Sequence, residues 1–235
     1  MNEIIRKRKS IRKYDLTPLD SETLNNIKDY IKHIKPLYPD IRYSIEITNK
    51  TAGIFNIKAP HYLIFGSEEK EGAYENIGFI GQQIDLYLSE SGLGACWLGA
   101  SKPEDKENSA LPFVICTAFG KANEPLHREL SDFKRKPLTE ISDGSDERLE
   151  AARLAPSATN SQNWYFSARD GKIRCYRKKT KPLIAVFYKK LNSIDMGIAL
   201  CHIASESNDF NYLKETGVPE IKGHVYMGTV KGNTL

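Results

Sequence analysis

Ala155-Pro156-Ser157-Ala158-Thr159-Asn160-Ser161-Gln162-Asn163-Trp164-Tyr165-Phe166 is the most informative stretch of this 235-residue chain. It is a Pro-headed run of small hydroxyl and amide residues between a helix and a strand. The helix is the amphipathic DERLEAARLAP segment, halted at Pro156. The strand opens on Trp164-Tyr165-Phe166 and ends at a Gly171 turn. Such a loop offers hydroxyls and amides at a surface or interface, and an ordinary capped turn has the same composition.

Outward from this loop the chain alternates buried strands and helices. Downstream, the pattern predicts a strand over Pro182–Phe187, a helix over Ile194–Ser207 and a last strand over His224–Val230. Upstream, Gly120–Asp146 is polar, charged and poor in apolar residues, and reads as an excursion or linker. Before it lie a helix capped by Ser21 with Leu24, Ile27, Ile31 and Ile34 on one face, a strand over Ile41–Thr48 and a buried strand over Pro60–Phe65. A buried helix over Ile77–Ser91 and a strand over Leu111–Phe119 follow.

The same order in both halves predicts a duplication, the alternative being two α+β stretches that share a tripeptide by chance. Pro60 and Phe65 match Pro182 and Phe187 at an offset of 122 (182 − 60). Gly81 and Ser89-Glu90-Ser91 match Gly197 and Ser205-Glu206-Ser207 at 116 (205 − 89), and Val114 matches Val225 at 111 (225 − 114). The boundaries are 1–143 and 144–235, each unit too small for a full core and so packed on the other.

Composition sets outer limits. The chain is 40% hydrophobic and 27% charged, which excludes disorder as the overall state. A net charge of +4 is too small to require nucleic acid but suits an anionic ligand. No apolar run is long enough to span a membrane, and MNEIIRKRKSIRKYD carries charges where a leader needs apolar residues. Cys96, Cys116, Cys175 and Cys201 form no CxxC and no metal pattern, which fits a reducing cytoplasm.

Two further segments carry chemical possibilities. Arg6-Lys7-Arg8-Lys9-Ser10-Ile11-Arg12-Lys13 is a basic arm, read as exposed with few core contacts. Runs of this kind are usually solvated, but a hydroxyl between Arg8 and Arg12 suits a phosphate-bearing ligand. Gly92-Leu93-Gly94-Ala95-Cys96-Trp97-Leu98-Gly99-Ala100 follows a helix rather than a strand, so it is not a dinucleotide fingerprint. It serves either as a helix stop with a buried Trp97 or as backbone that approaches a flat group closely. No Ser-His-Asp, Cys-His or paired-carboxylate set is defensible. His202 reads as a core histidine, His61 has no evident partner, and Cys96 reads as structural.

The three segments together resemble the nitroreductase superfamily. RKRKSIRKYD resembles its RRSxRxF motif, APSATNSQNWYF its APSxxNxQPWxF, and ESGLGACWLG its GLGxxWxG. Their order differs, because the APS segment stands in the second half while KPLYPDIRY occupies its place in the first. The chain therefore resembles a tandem-fused, single-chain pseudo-dimer. That implies an α+β fold: two nitroreductase-like halves with mixed or antiparallel sheets flanked by helices.

The resemblance implies one FMN between the halves, with NADH or NADPH as electron donor and a nitroaromatic or quinone as acceptor. It implies neither nucleic acid nor membrane as partner, and a monomer acting as a pseudo-dimer. By motif position, Arg8, with Lys9 in place of the family's Arg, and Arg135 match the phosphate contacts. Ser10 and Arg12 match the pyrimidine edge of the ring, and Trp97, Leu98, Gly99 and Ala100 the backbone near N5. Pro156, Ser157, Ala158 and Asn160 match the loop contributed across the interface. Asn163 departs from the family's Pro. The Pro36-Leu37-Tyr38-Pro39 bulk is expected to fill the symmetry-related second site. Alternatives on the same fold are flavin, ene or dehalogenating reduction, or a flavin-binding or redox-sensing protein with little turnover; the basic arm alone would suggest nucleic-acid binding.

Overall fold

Two helices buried nearly all round organise the molecule, as expected where a helix lacks a polar face. A computed structural model describes residues 3–53, 57–104, 111–180 and 185–234, with 185–187 described in backbone only. The first half contains α1 (Glu3–Lys7), α2 (Ser21–Lys32), β1 (Tyr43–Thr48), β2 (Thr51–Gly53), β3 (His61–Ser67), α3 (Ala73–Glu90), β4 (Gly94–Leu98), β5 (Ser101–Pro103) and β6 (Phe113–Gly120). After a 3-10 turn at Leu130–Asp132 come α4 (Leu138–Ile141), β7 (Ser142–Gly144) and α5 (Arg148–Leu154). A second 3-10 turn at Ala158–Asn160 precedes β8 (Trp164–Arg169), β9 (Lys172–Lys178), α6 (Ala185–Ala204), β10 (Asn211–Leu213) and β11 (His224–Lys231).

The larger sheets repeat one strand order. The first runs β1-β3-β6-β4, and the second, set out from β8, runs β8-β9-β11-β10 with β7 added beyond β8. All of these pairings are antiparallel except β7 with β8. In each half the central helix, α3 or α6, falls between the second and third strands of that order. Fourteen of the eighteen residues of α3 are buried, as is every residue from Leu191 to Ile203 on α6.

These helices cross backbone to backbone. A methyl group on Gly78 would collide with the Ile194 carbonyl, and one on Gly197 with the Glu75 carbonyl. The contact is reciprocal, like that of an isologous interface: both equivalences, Gly78 with Gly197 and Glu75 with Ile194, stand 119 positions apart (197 − 78). The helix register is therefore 119, not the 116 suggested by the Ser-Glu-Ser match.

Other expectations also shift. Ala185–Phe187 are helical rather than strand, and residues 182–184 of the expected strand lie outside the described residues. The second strand of that half is β9 instead. The buried helices start at Ala73 and Ala185, earlier than the apolar spacing implied. Asp20, not Ser21, caps α2, its carboxylate accepting from Thr23 N at 2.8 Å. The supposed linker holds α4 and β7. The basic arm is integral rather than exposed: Ile4, Ile5, Ile11 and Tyr14 are buried, and Ser10 bridges Ala95 alongside β4. His61 does have a partner, accepting from Leu19 N at 2.9 Å. The four cysteines are buried and free of disulfides.

Candidate functional site

The APS segment is strained backbone held by many ties. Thr159, Asn160 and Gln162 all have left-handed φ, at 52°, 56° and 48°. Such non-glycine residues cost on the order of 1–3 kcal/mol each and persist only where the surroundings overdetermine them. Here Ser157 Oγ accepts from Gln162 N at 3.0 Å, and Gln162 Oε1 accepts from Lys136 N at 2.8 Å. The Asn160 amide donates to Lys134 O at 2.7 Å and accepts from Arg135 at 2.5 Å. The polar stretch before α5 is thus the brace of the loop. On its other side Ala158 N donates to both oxygens of Asp195 on α6, at 3.0 and 3.1 Å.

Beside this loop lies a cavity of about 490 Å³, lined mainly by apolar residues. It gathers Trp97, Leu98, Gly99 and Ala100 from the end of β4, Leu191, Ile194, Asp195 and Ile198 from α6, and Pro156, Ser157, Ala158 and Thr159 from the loop. Ser10 and Arg12 line it as well. These two residues, with Pro156, Ser157 and Thr159, also line a second cavity of about 500 Å³. That one is basic, lined by Arg8, Lys9, Arg128, Lys134, Arg135 and Asn160 among others. Every site residue named from the sequence borders one cavity or both.

The basic end is short of counter-ions. Burial, with Arg128, Arg8 and Arg153 nearby, pulls the Arg135 pKa well below its ordinary value, and its buried Nε has no hydrogen-bond partner among the described residues. Arg128 is likewise pulled down by burial and then by Arg8, while its guanidinium lies 3.5 Å from the centre of the Phe133 ring. Crowded guanidiniums of this sort are stabilised by an anion. Arg8 differs from expectation. It is buried, and its Nε lies 2.8 Å from Asp85 Oδ2, so its charge is already balanced. Burial pushes the Asp85 carboxyl up and Arg8 opposes that shift.

A buried polar chain supports the apolar cavity from behind. Trp97 Nε1 donates to Gln82 Oε1 at 3.3 Å, Gln82 Nε2 meets His202 Nε2 at 3.1 Å, and His202 Nδ1 meets Ala151 O at 2.9 Å. Burial holds the His202 pKa down to about 3, so it is a neutral core histidine, donating to Ala151 O and accepting from Gln82. Burial raises Cys96, which leaves it an unreactive thiol.

The expected plug at 36–39 is only partly one. The Tyr38 ring packs against Gly72 and lies 6.1 Å from the Tyr212 ring, but Pro36, Leu37 and Pro39 line an open cavity of about 820 Å³. Among the described residues, no arginine lines that cavity.

Asp195 and Arg128 were missed from sequence. A lone carboxylate inside the apolar run LNSIDMGIAL was the available signal for Asp195, since unpaired acids are rarely fully buried. Nothing distinguishes Arg128 within its charged stretch. Among the described residues, no group of three or more His, Cys, Asp or Glu could hold a metal ion, and no helix is long and apolar enough to cross a membrane.

The model of a family described as "Putative TM nitroreductase" matches residues 1–207. A comparison with curated proteins finds no match. Among solved structures, a "putative nitroreductase" from Thermotoga maritima MSB8 aligns with a TM-score of 0.68 at 20% identity, covering 98% of this chain and 93% of that one. A nitroreductase family protein from Clostridium difficile 630 aligns at 0.48 and 19% identity (63% and 99% covered). An FMN-dependent nitroreductase from Clostridium difficile R20291 aligns at 0.46 and 16% (62% and 100%). With its fold shared end to end with the Thermotoga structure and most of its length matched by the family model, this chain is a member of the nitroreductase family.

Proposed function

We propose that this oxidoreductase uses one FMN per chain, takes hydride from NADH or NADPH, and reduces a nitroaromatic or a quinone. The observation that carries the reading is the junction of the two cavities. An apolar slot opens into a basic pocket across Ser10, Arg12, Pro156, Ser157 and Thr159, which matches a molecule with a flat ring at one end and a phosphate at the other. The partnerless Arg135 Nε and the crowded arginines fit that phosphate.

Bound FMN would supply two-electron chemistry at N5, and the protein's part is to hold and tune it. Arg128 and Arg135 would carry most of the phosphate binding, because Arg8 is already neutralised by Asp85. Arg12 lines the slot and has no ion-pair partner among the described residues, so its charge is available at the ring's pyrimidine edge. Trp97 to Ala100 would lie along the ring, with Trp97 fixed by Gln82 and by stacking on Phe65 at 5.8 Å. The APS loop closes the slot from the second half of the chain, so the site needs both halves.

Flavin released from denatured, fully loaded protein gives the test. One FMN per chain, bleached anaerobically by NADH or NADPH and restored by a quinone, is the expected result. Two FMN per chain would refute the single-site arrangement. Bound flavin that neither nicotinamide reduces would favour a flavin-binding protein without turnover, and no bound flavin would refute the reading.

A further inference from the structure

The crossing of α3 and α6 gives the loop-to-helix contact an internal counterpart. Asp195 and Asn76 stand 119 positions apart (195 − 76), the register set by Gly78 and Gly197. Each is fully buried and each grips the loop that follows its half's preceding helix. Asn76 Oδ1 accepts from Tyr38 N at 3.0 Å, and its amide donates back to Tyr38 O at 3.3 Å. Among the described residues, Asp195 accepts from Ala158 N alone. The Ala158 carbonyl is occupied by Thr159 Oγ1 at 2.7 Å and Ser161 N at 3.0 Å.

A permanently neutral amide thus suffices to latch a loop in this fold. At the site with the apolar slot the same position carries an acid instead. Both of its oxygens share one N–H, so in the protonated form its O–H has no partner in the loop, and the residue borders the slot. Resting on the function proposed above, we infer that Asp195 is the proton donor to the acceptor reduced in the slot, and that Asn76 retains only the latch.

The balance for a quinone is complete. Conversion to hydroquinone takes two electrons and two protons. A hydride from reduced flavin brings both electrons and one proton to one quinone oxygen. The Asp195 O–H breaks and its proton goes to the other oxygen. Asp195 is left as a carboxylate accepting from Ala158 N–H, and water reprotonates it after the product leaves.

The surroundings keep the acid protonated. Burial raises its pKa to about 8 against the single opposing bond from Ala158. The loop at 156–159 brings no ionisable side chain. β4 brings Cys96, whose thiol is itself raised, and the arm brings Arg12 across the slot. From α3 comes Glu75, raised by burial and tempered by Ser193 and Arg177. On α5, Arg148 is paired with Asp146, and Arg153 with Glu150.

Asp195→Asn is the discriminating variant, because Asn76 shows that an amide holds a loop in this position. Its FMN affinity and its rate of reduction by NADPH are measured alongside as controls for the integrity of the slot, since hydride transfer to flavin needs no proton from the protein. Anaerobic reoxidation of the bound reduced flavin by a soluble benzoquinone should slow by about 100-fold or more. In the flavin-free protein, an infrared difference spectrum between wild type and D195N should show a protonated carboxyl at neutral pH. The wild-type reoxidation rate should show a normal solvent isotope effect and fall as pH rises through about 8. Reoxidation of D195N at the wild-type rate, or no protonated carboxyl in the difference spectrum, would overturn the inference alone. So would loss of FMN binding confined to D195N, and, if that variant does not fold, absence of an isotope effect in the wild type. A wild type that binds no flavin would overturn the functional reading, and this inference with it.

Discussion

Replacing Arg8 by Met should destabilise the fold more than it weakens any ligand. The Arg8 and Asp85 side chains are only 3% and 1% exposed and lie 2.8 Å apart, so removing one strands the other's charge inside. Breaking such a pair costs about 3–5 kcal/mol. At about 2–4 °C per kcal/mol for a chain of this size, the melting temperature should fall by roughly 6–20 °C. The deficit should depend on pH with a definite sign. Without Arg8, burial raises Asp85 further, so the folded state takes up a proton that the unfolded chain does not. Stability of the variant is therefore highest at low pH and falls as pH rises, and its gap from wild type should be narrower at pH 5 than at pH 8. Adding Asp85→Asn should recover most of the loss at pH 8, because no lone charge remains. Circular-dichroism melts of wild type, R8M, D85N and the double variant across that range provide the cycle. A single variant that melts with wild type at pH 8, or a double variant no better than the single, would refute the account.

Gly78→Ala and Gly197→Ala should each cost about 3 kcal/mol, the upper end for overpacking, because the added methyl meets a backbone carbonyl that cannot yield. Gly92→Ala, with open space but φ of 79°, should cost only about 1–2 kcal/mol, and equal melts for the three would refute the close crossing. Asn160→Ala should lose about 1–3 kcal/mol through its left-handed φ and about tenfold in FMN affinity; Asn160→Gly should recover the stability but not the affinity, as melts and flavin fluorescence titration will show. The folded-state pKa of Asp195 is raised to about 8, so its stabilisation is present at low pH and lost as pH rises through that value. The melting temperature of wild type relative to D195N should therefore drop between pH 5 and 9, and a constant difference would count against a buried neutral acid. With NADPH and a quinone using one slot in turn, steady-state lines should be parallel, as for ping-pong turnover, and intersecting lines would argue for two separate subsites.

Motif spacing was enough to name residues that the fold gathers around two adjoining cavities, because they come from short contiguous runs: the arm, the end of β4 and the APS loop. Long-range pairing was harder to find. Nothing local tells that Arg8 turns inward to Asp85, 77 positions away (85 − 8), rather than lying on the surface. The helix offset was taken from Ser-Glu-Ser, a tripeptide at each helix end, whereas the glycines that touch the opposite backbone pair the two helices at 119. β4 was read as turning glycine backbone. Gly94 pairs with Gly120 as a strand because the Ile11 side chain covers it, a contact visible only in three dimensions. The linker was misjudged for a related reason: a segment that braces a loop through its backbone and through Arg135 and Lys136 needs few apolar residues of its own.

The glycine crossing also bears on how the chain is made. α3 is buried on nearly every side, yet much of its cover is α6, which begins 112 positions after α3 does (185 − 73). At synthesis rates of about 5–20 residues per second, that interval is on the order of ten seconds. Throughout it a nascent chain would carry Ile77, Ile80, Ile84 and Leu88 on a helix whose mate has not been synthesised. The first sheet can pair in the meantime, since β1, β3, β4 and β6 all precede residue 121. The shared core cannot close until α6 emerges, so over that interval the nascent chain exposes the apolar surface of α3 that α6 later covers.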